Sequence, residues 1–432
     1  MDEPQAPLDE PQTQLDEPQT QLDESQAQLD EAGMRLTEAG TPPFRRTAIA
    51  LGAAGFSTFA VLYGVQPLLP IFADDFGVSP AESSLALSLP CAMLAVALLV
   101  VSPLSEVWGR KPIMVASLFA SALLTIVAVL VPSWHGFLAL RALTGLAASG
   151  LPAVAMAYLG EEMHGRAIGL SMGLLIGGNA LGGMVGRLVA GIITDYASWR
   201  WGLGIIGVLA LLSAIAFWQV LPPSRRFTPN RMRWRQIPGT FGPHFRDPGL
   251  PWLFAEAFLL MGGFVCVYNY IGFRLLEPPF SLSQTAIGLI FVIYLAGTFS
   301  STATGEIASR LGRRRVLWLA IVGGLAGIAM TLSDSLPMVI AGIVVVTMSF
   351  FGAHSVASSW VGRRALRDRA QASSVYLCLY YLGSSVLGTA GGWFFAQAGW
   401  TGVVLFFSGL YGLALVIALR LSRLAPLGEK SP

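Results

Sequence analysis

Charge is scarce in this sequence. Asp, Glu, Lys and Arg make up 12% of its 432 residues, and 54% are hydrophobic. Soluble domains carry about 25% charge, so this chain cannot bury its apolar surface in a water-soluble core and much of it must face lipid. Cysteine is nearly absent. Cys91, Cys266 and Cys378 all fall in apolar stretches, which excludes a disulfide framework and a Cys/His metal site. There are four histidines and no HExxH, P-loop or dinucleotide fingerprint, so neither enzymatic chemistry nor a cofactor or metal is expected. No cleavable signal peptide is evident, since the first apolar run begins near residue 47 without the short charged-then-apolar pattern. Glycine (48) and proline (26), by contrast, are plentiful. Both are commoner in membrane helices, where neighbouring helices re-satisfy freed backbone groups.

The charge that exists is unevenly placed. The formal net charge is +2, yet the first 40 residues hold eleven acids and one base, leaving 26 bases against 14 acids in the rest. The acids belong to a seven-residue unit repeated over 2–36, with leucines at Leu8, Leu15, Leu22, Leu29 and Leu36. Pro4, Pro11 and Pro18 and the single apolar anchor per unit argue against a coiled coil, so an acidic disordered tail is expected over 1–43.

A membrane-spanning helix needs about 20 apolar residues. Twelve such spans are predicted near 47–72, 82–105, 112–132, 134–159, 167–194, 199–221, 251–276, 284–308, 315–332, 336–361, 370–395 and 399–421. A basic, proline-rich linker at 222–250 divides them six and six, giving halves at 44–221 and 251–424 and a C-terminal tail at 425–432. With both termini cytoplasmic, the clusters Arg45-Arg46, Arg110-Lys111, Arg225-Arg226, Arg313–Arg315 and Arg363-Arg364 all lie inside, and only Arg200 and Arg274 lie outside. That bias follows the positive-inside rule.

The halves repeat. Gly109-Arg110-Lys111 and Gly312-Arg313-Arg314 follow spans 2 and 8, and Arg166-Ala167 and Arg369-Ala370 open spans 5 and 11, all at an offset of 203. Two duplicated halves imply a transporter with a central site between them.

Particular motifs carry a resemblance. The stretch SPLSEVWGRKP (102–112) resembles the loop signature of the major facilitator superfamily, Gly-x-Leu-Ala-Asp-Arg-x-Gly-Arg-Lys. Leu104, Gly109, Arg110 and Lys111 match, while Ser102, Glu106 and Val107 replace Gly, Asp and Arg. A second copy, GEIASRLGRRR (305–315), keeps Gly305, Arg310, Gly312, Arg313 and Arg314 but has Ser309 in place of the acid. The resemblance implies that Glu106 and these residues latch the outward-open state. A role in topology alone is the plainer alternative.

Arg141, within LRALTGLAASG (140–150), resembles the superfamily's span-4 Arg-x-x-x-Gly. A membrane arginine is costly and faces the bundle interior. The resemblance implies proton relay, and bonding to backbone carbonyls is the alternative. Gly169, Gly178, Gly182 and Gly186 fit the spacing of the antiporter signature in span 5, and small residues there allow close helix packing. Gly183 stands where Pro is usual and Arg187 where Gly is usual. Arg187 would pair with an acid, hold an anionic substrate group, or tune a carboxylate. YGVQPLLPIFADDFGVSP (63–80), GRKP (109–112), IGGNALGGMVGRL (176–188) and YNYIGFRL (268–275) together resemble the YnfM branch of inner-membrane transport proteins.

In this fold spans 1, 4, 7 and 10 line the cavity, which makes Gln66, Tyr158, Asn269 and His354 cavity candidates beside Arg141 and Arg187. Helix–helix hydrogen bonding is the alternative for the neutral residues, and neutral packing for His354. Glu256, near the start of span 7, is expected to be exposed at the interface. The chain is therefore read as an all-α membrane protein, with twelve transmembrane helices in two pseudo-symmetric six-helix halves of the major facilitator fold. The expected protein is monomeric and lies in the bacterial inner membrane. It couples protons to export of a small drug- or sugar-like molecule and binds no nucleic acid. Proton-linked uptake of a small organic anion is the alternative, and a non-transporting receptor or scaffold with this fold is another.

Overall fold

The computed structural model describes residues 36–227, 229, 237–365 and 369–424. The acidic repeats through residue 35, the C-terminal tail from 425 and residues 228 and 230–236 of the linker lie outside the described residues. Among the described residues the chain is helical apart from turns and one isolated bridge between Thr37 and Met163.

The first half comprises α1 (Pro42–Phe76), α2 (Pro80–Trp108), α3 (Arg110–Ala128), α4 (Trp134–Glu162), α5 (Gly165–Tyr196) and α6 (Trp199–Val220). A short helix, Ile237–Arg246, leads to α7 (Leu250–Leu276), α8 (Gln284–Leu311), α9 (Arg313–Met330) and α10 (Leu336–Arg364). The stretch Arg369–Ser422 is two helices, α11 and α12, which meet where Ala398 and Gly399 leave helical backbone geometry. Ten helices qualify as spans on length and apolarity. Dividing the last at Gly399 and adding α9, whose first turn holds Arg313, Arg314 and Arg315, gives twelve. Leu130, Trp201, Phe299 and Leu405 are each more than 60% exposed, as expected of side chains that meet lipid tails.

Sequence explains the ends and the breaks. Ser79 and Glu82 form a reciprocal capping box that starts α2. Gly109 and Gly312 end α2 and α8 at φ +92° and +87°, a backbone region that glycine enters without strain. Inside α1 the helix yields to a 3₁₀ turn at Gln66–Leu68, where Pro67 has no N–H to give. A matching 3₁₀ turn, Phe291–Ile293, interrupts α8. Such mid-helix turns often mark functional positions.

Glycine sets the closest helix contacts. A Cβ on Gly178 would lie 2.2 Å from the Gly52 carbonyl oxygen, and one on Gly182 2.0 Å from that of Phe56. Thus α5 lies backbone to backbone on α1. The second half repeats this, with a Cβ on Gly383 falling 2.1 Å from the Phe258 oxygen. Gly169 has no atom within 4 Å of its would-be Cβ and takes no part in this packing.

The arginine-rich turns and the first and last described residues share one face of the bundle, here the basic face. Contacts joining the two halves lie toward the opposite face. Ser84 Oγ of α2 donates to Thr389 Oγ1 of α11 at 3.2 Å. Asp195 at the end of α5 accepts the backbone N–H groups of Gln284 and Thr285, which open α8.

Candidate functional site

Arg187 is the centre of the polar seam between the halves. It projects from α5, is 2% exposed, and donates from Nε to Gln66 Oε1 at 2.8 Å and from one terminal nitrogen to the Gly183 carbonyl at 2.8 Å. Its other terminal nitrogen reaches the Tyr294 hydroxyl at 3.5 Å, a weak contact. The rings of Tyr63, Phe291 and Tyr294 enclose the guanidinium at 4.6 to 4.8 Å from its central carbon. Desolvated contacts of this kind stabilise a cation by about 2 kcal/mol each. Among the described residues no carboxylate pairs with Arg187.

Gln66 carries the network across the seam. While its Oε1 accepts from Arg187, its Nε2 donates to Asn269 Oδ1 of α7 at 2.8 Å. Asn269 is 1% exposed and its Nδ2 has no partner. The cluster therefore has more donors than acceptors: a guanidinium with N–H groups to spare and a free amide N–H. Such a set suits a small anion, and the aromatic walls suit an apolar ring attached to it.

The other candidates lie elsewhere. Arg141, 1% exposed, donates to the carbonyls of Ala86, Val61 and Leu62 at 2.8 to 3.0 Å. It ties α4 to α1 and α2 and does not reach the Arg187 cluster. Tyr158 also stands apart. Its hydroxyl donates to the Pro222 carbonyl at 3.0 Å, and it lines a separate cavity of about 300 Å³ on the basic face with Arg46, Lys111, Glu162 and Arg225. His354 Nδ1 lies 3.0 Å from the Tyr376 hydroxyl, its ring against those of Phe350 and Tyr380. An aromatic series links it to the seam: Phe350 stacks on Phe264 at 3.9 Å, and Phe264 packs edge-on against Tyr294 at 5.5 Å.

The turns on the basic face depart from expectation in one respect. The partner of Arg110 is Glu161 of α4, at 2.7 and 3.0 Å, with Ser105 Oγ at 2.6 Å. Glu106, the acid the motif supplies, makes no ion pair among the described residues. The helix geometry explains this, because Glu161 ends α4 beside the first turn of α3. Lys111 Nζ donates to the Leu221 carbonyl at the end of α6, and Arg314 donates to that of Ser422 at the end of α12 at 3.1 Å. Arg310 pairs with exposed Glu306, and Arg313 reaches Ser359 Oγ at 3.4 Å. Gly305 has open space around its would-be Cβ.

Glu256 corrects a second expectation. It is 0% exposed, and neither carboxylate oxygen has a hydrogen-bond partner. The sequence offered only its place near a helix start, whereas α10, α11 and α12 close over that turn. Tyr63, Phe291 and Tyr294 were also not foreseen. Their shared signal, an aromatic one turn or less from a helix break, is visible only beside the breaks themselves.

A polytopic helical bundle of two six-helix halves, with a polar cluster on the seam, defines a membrane transporter and not an enzyme. The chain belongs to the Major Facilitator Superfamily, whose sequence model matches residues 51–277 and again 275–432. It is 49% identical over 383 residues to the inner membrane transport protein YnfM of Escherichia coli K12, covering 89% of this chain and 92% of that protein. It is 45% identical to the uncharacterized MFS-type transporter YybF of Bacillus subtilis 168, covering 91% and 96%. Among solved structures, a point mutant of the nucleoside transporter NupG superposes with a TM-score of 0.72 at 15% identity, over 87% of this chain and 99% of that one. A bacterial homolog of the human lysosomal transporter Spinster, inward-facing and unoccupied, gives 0.72 at 16% identity, over 89% and 98%.

Proposed function

We propose that this protein is a proton-coupled exporter of small aromatic organic anions across the inner membrane, working by alternating access as a monomer. The observation that carries the reading is Arg187, a buried guanidinium walled by three rings and facing no acid. A buried cation lacking a counter-charge is costly, and an anionic cargo supplies one. Gln66 and Asn269 orient that cargo from both halves. Gly178, Gly182 and Gly186 support the antiport direction through the close α1–α5 packing that the antiporter spacing implies. The basic face is cytoplasmic under the positive-inside rule, so a seam joined on the opposite face belongs to an inward-open state. The printed name of the E. coli relative supports the inner membrane.

The uptake reading shares the same anion site and differs only in direction. It draws on Arg187 standing where the antiporter spacing has glycine.

Everted vesicles with an acid interior, given radiolabelled p-toluenesulfonate, test the export reading. This probe is an aromatic ring with a permanent negative charge. Protein-dependent accumulation is expected, with none of benzyltrimethylammonium, an aromatic cation of similar size. Accumulation of the cation alone would overturn the anion reading. Accumulation of the sulfonate only in right-side-out vesicles would favour uptake.

A further inference from the structure

Glu256 has no role in the site so far described, yet its place is a costly one for a carboxyl group. It sits two turns into α7, fully buried, with both oxygens unpartnered. An ionised carboxylate in such a place costs many kcal/mol, so the neutral acid is the form this conformation can hold. A buried, unpaired acid in a membrane helix marks a functional site by default.

Titratable groups surround it on several helices. Tyr376 of α11 and Tyr411 of α12 are among its neighbours, and neither hydrogen-bonds to it. The Tyr376 hydroxyl lies 3.0 Å from His354 Nδ1 of α10. The Tyr411 hydroxyl donates to the Leu260 carbonyl at 3.5 Å. The helix Ile237–Arg246, which packs on α7 and on the Arg369–Ser422 stretch, brings buried His244, whose Nε2 has no partner. At the start of α7, Asp247 and Arg364 are paired with each other at 2.5 Å. α1 and α8 touch α7 nearer its other end, where they bring Gln66 and Gln284 and no cation to Glu256. These groups are neutral hydroxyls, imidazoles or matched charges, and the further cation near this end of α7 is Arg420 of α12, which lies over the Trp252 ring at 4.2 Å.

We propose that Glu256 is a proton-binding site of the second half. The role in transport rests on the proton coupling proposed above. In the inward-open state the proton resides on Glu256. Loading and unloading Glu256 changes the charge buried among α7, α10 and α11, the helices that must shift as the halves rock.

Infrared spectroscopy of the purified full-length protein tests the site without any cargo. A carbonyl band of a protonated carboxylic acid is expected at neutral pH, absent in Glu256→Gln and lost from the wild type at alkaline pH. A band unchanged in Glu256→Gln, or no such band in the wild type, would overturn the proposal. The glutamine variant removes a burial cost and should melt no lower than wild type, so misfolding is separately visible.

Vesicles loaded with p-toluenesulfonate address the link to transport. Glu256→Gln should retain exchange without a gradient and lose the response to an imposed pH gradient by at least tenfold. A gradient response surviving in Glu256→Gln would remove Glu256 from coupling. If wild type itself shows no gradient response, it is the coupling reading that fails, and the infrared band alone decides whether Glu256 binds a proton.

Discussion

Gln66 and Asn269 are 203 residues apart in the chain and 2.8 Å apart in space. That separation equals the offset of the internal duplication, so the two residues are counterparts in the repeat that meet across its axis. Arg187 then breaks the symmetry, bonding Gln66 on one side only.

Removing either partner of that bond should loosen the joined seam. Asn269→Ala or Gln66→Ala is expected to shift the population toward the outward-open state by about 1–2 kcal/mol, since a buried donor loses its acceptor. Spin-label distances across the outer ends of α2 and α11 would report it as a growing long-distance fraction. An unchanged distance distribution in both variants would count against the seam as a gate.

Arg141 ties α4 to the carbonyls of Val61, Leu62 and Ala86. Arg141→Gln should lower the apparent Tm in detergent, consistent with the loss of about 3 kcal/mol or more from charge-assisted bonds to three carbonyls. Arg141→Lys should rescue little, because one ammonium cannot span acceptors on both α1 and α2. If Arg141→Lys restored both stability and the response to a pH gradient, a relay role would replace this tie.

The glycines of α5 should differ in tolerance. Gly182→Ala must push α5 off α1, since its Cβ would sit 2.0 Å from the Phe56 oxygen, and expression or Tm should fall sharply. Gly169→Ala meets nothing within 4 Å and should be close to neutral. Equal effects at the two positions would show that the α1–α5 contact is not what the spacing encodes.

The start of α7 should be acid-sensitive at low pH only. Burial alone would raise the Asp247 carboxyl, but the Arg364 hydrogen bond and the N–H groups of Gly249 and Leu250 outweigh it and hold the group below its ordinary 3.8. A folded-state value below the unfolded one adds stability that is complete above about pH 4 and is lost as pH falls through the lowered value. Asp247→Asn should remove this dependence, as seen in Tm measured from pH 3 to 6. A wild-type loss centred well above pH 4 and absent from Asp247→Asn would contradict it.

Much of this architecture is legible in the chain. Spans show because lipid demands long apolar runs, and the Arg313–Arg315 cluster shows where one ends. The Gly178 and Gly182 contacts fit the glycine spacing, while Gly169 in the same spacing meets nothing. Other features depend on tertiary geometry. Whether Glu256 is buried depends on how α10, α11 and α12 close over one turn, which no local pattern records. The motif names Arg110 but not its partner, which packing delivers as Glu161 from the end of α4. The rings around Arg187 come from three separate segments, and only the fold brings them to one cation.

Equilibrium binding of p-toluenesulfonate to the purified protein, with Arg187→Gln alongside, probes the proposed anion site at Arg187. Saturable binding to wild type is expected, falling at least tenfold in Arg187→Gln, with Tm unchanged or raised in the variant. Equal affinity in the two proteins would rule that site out.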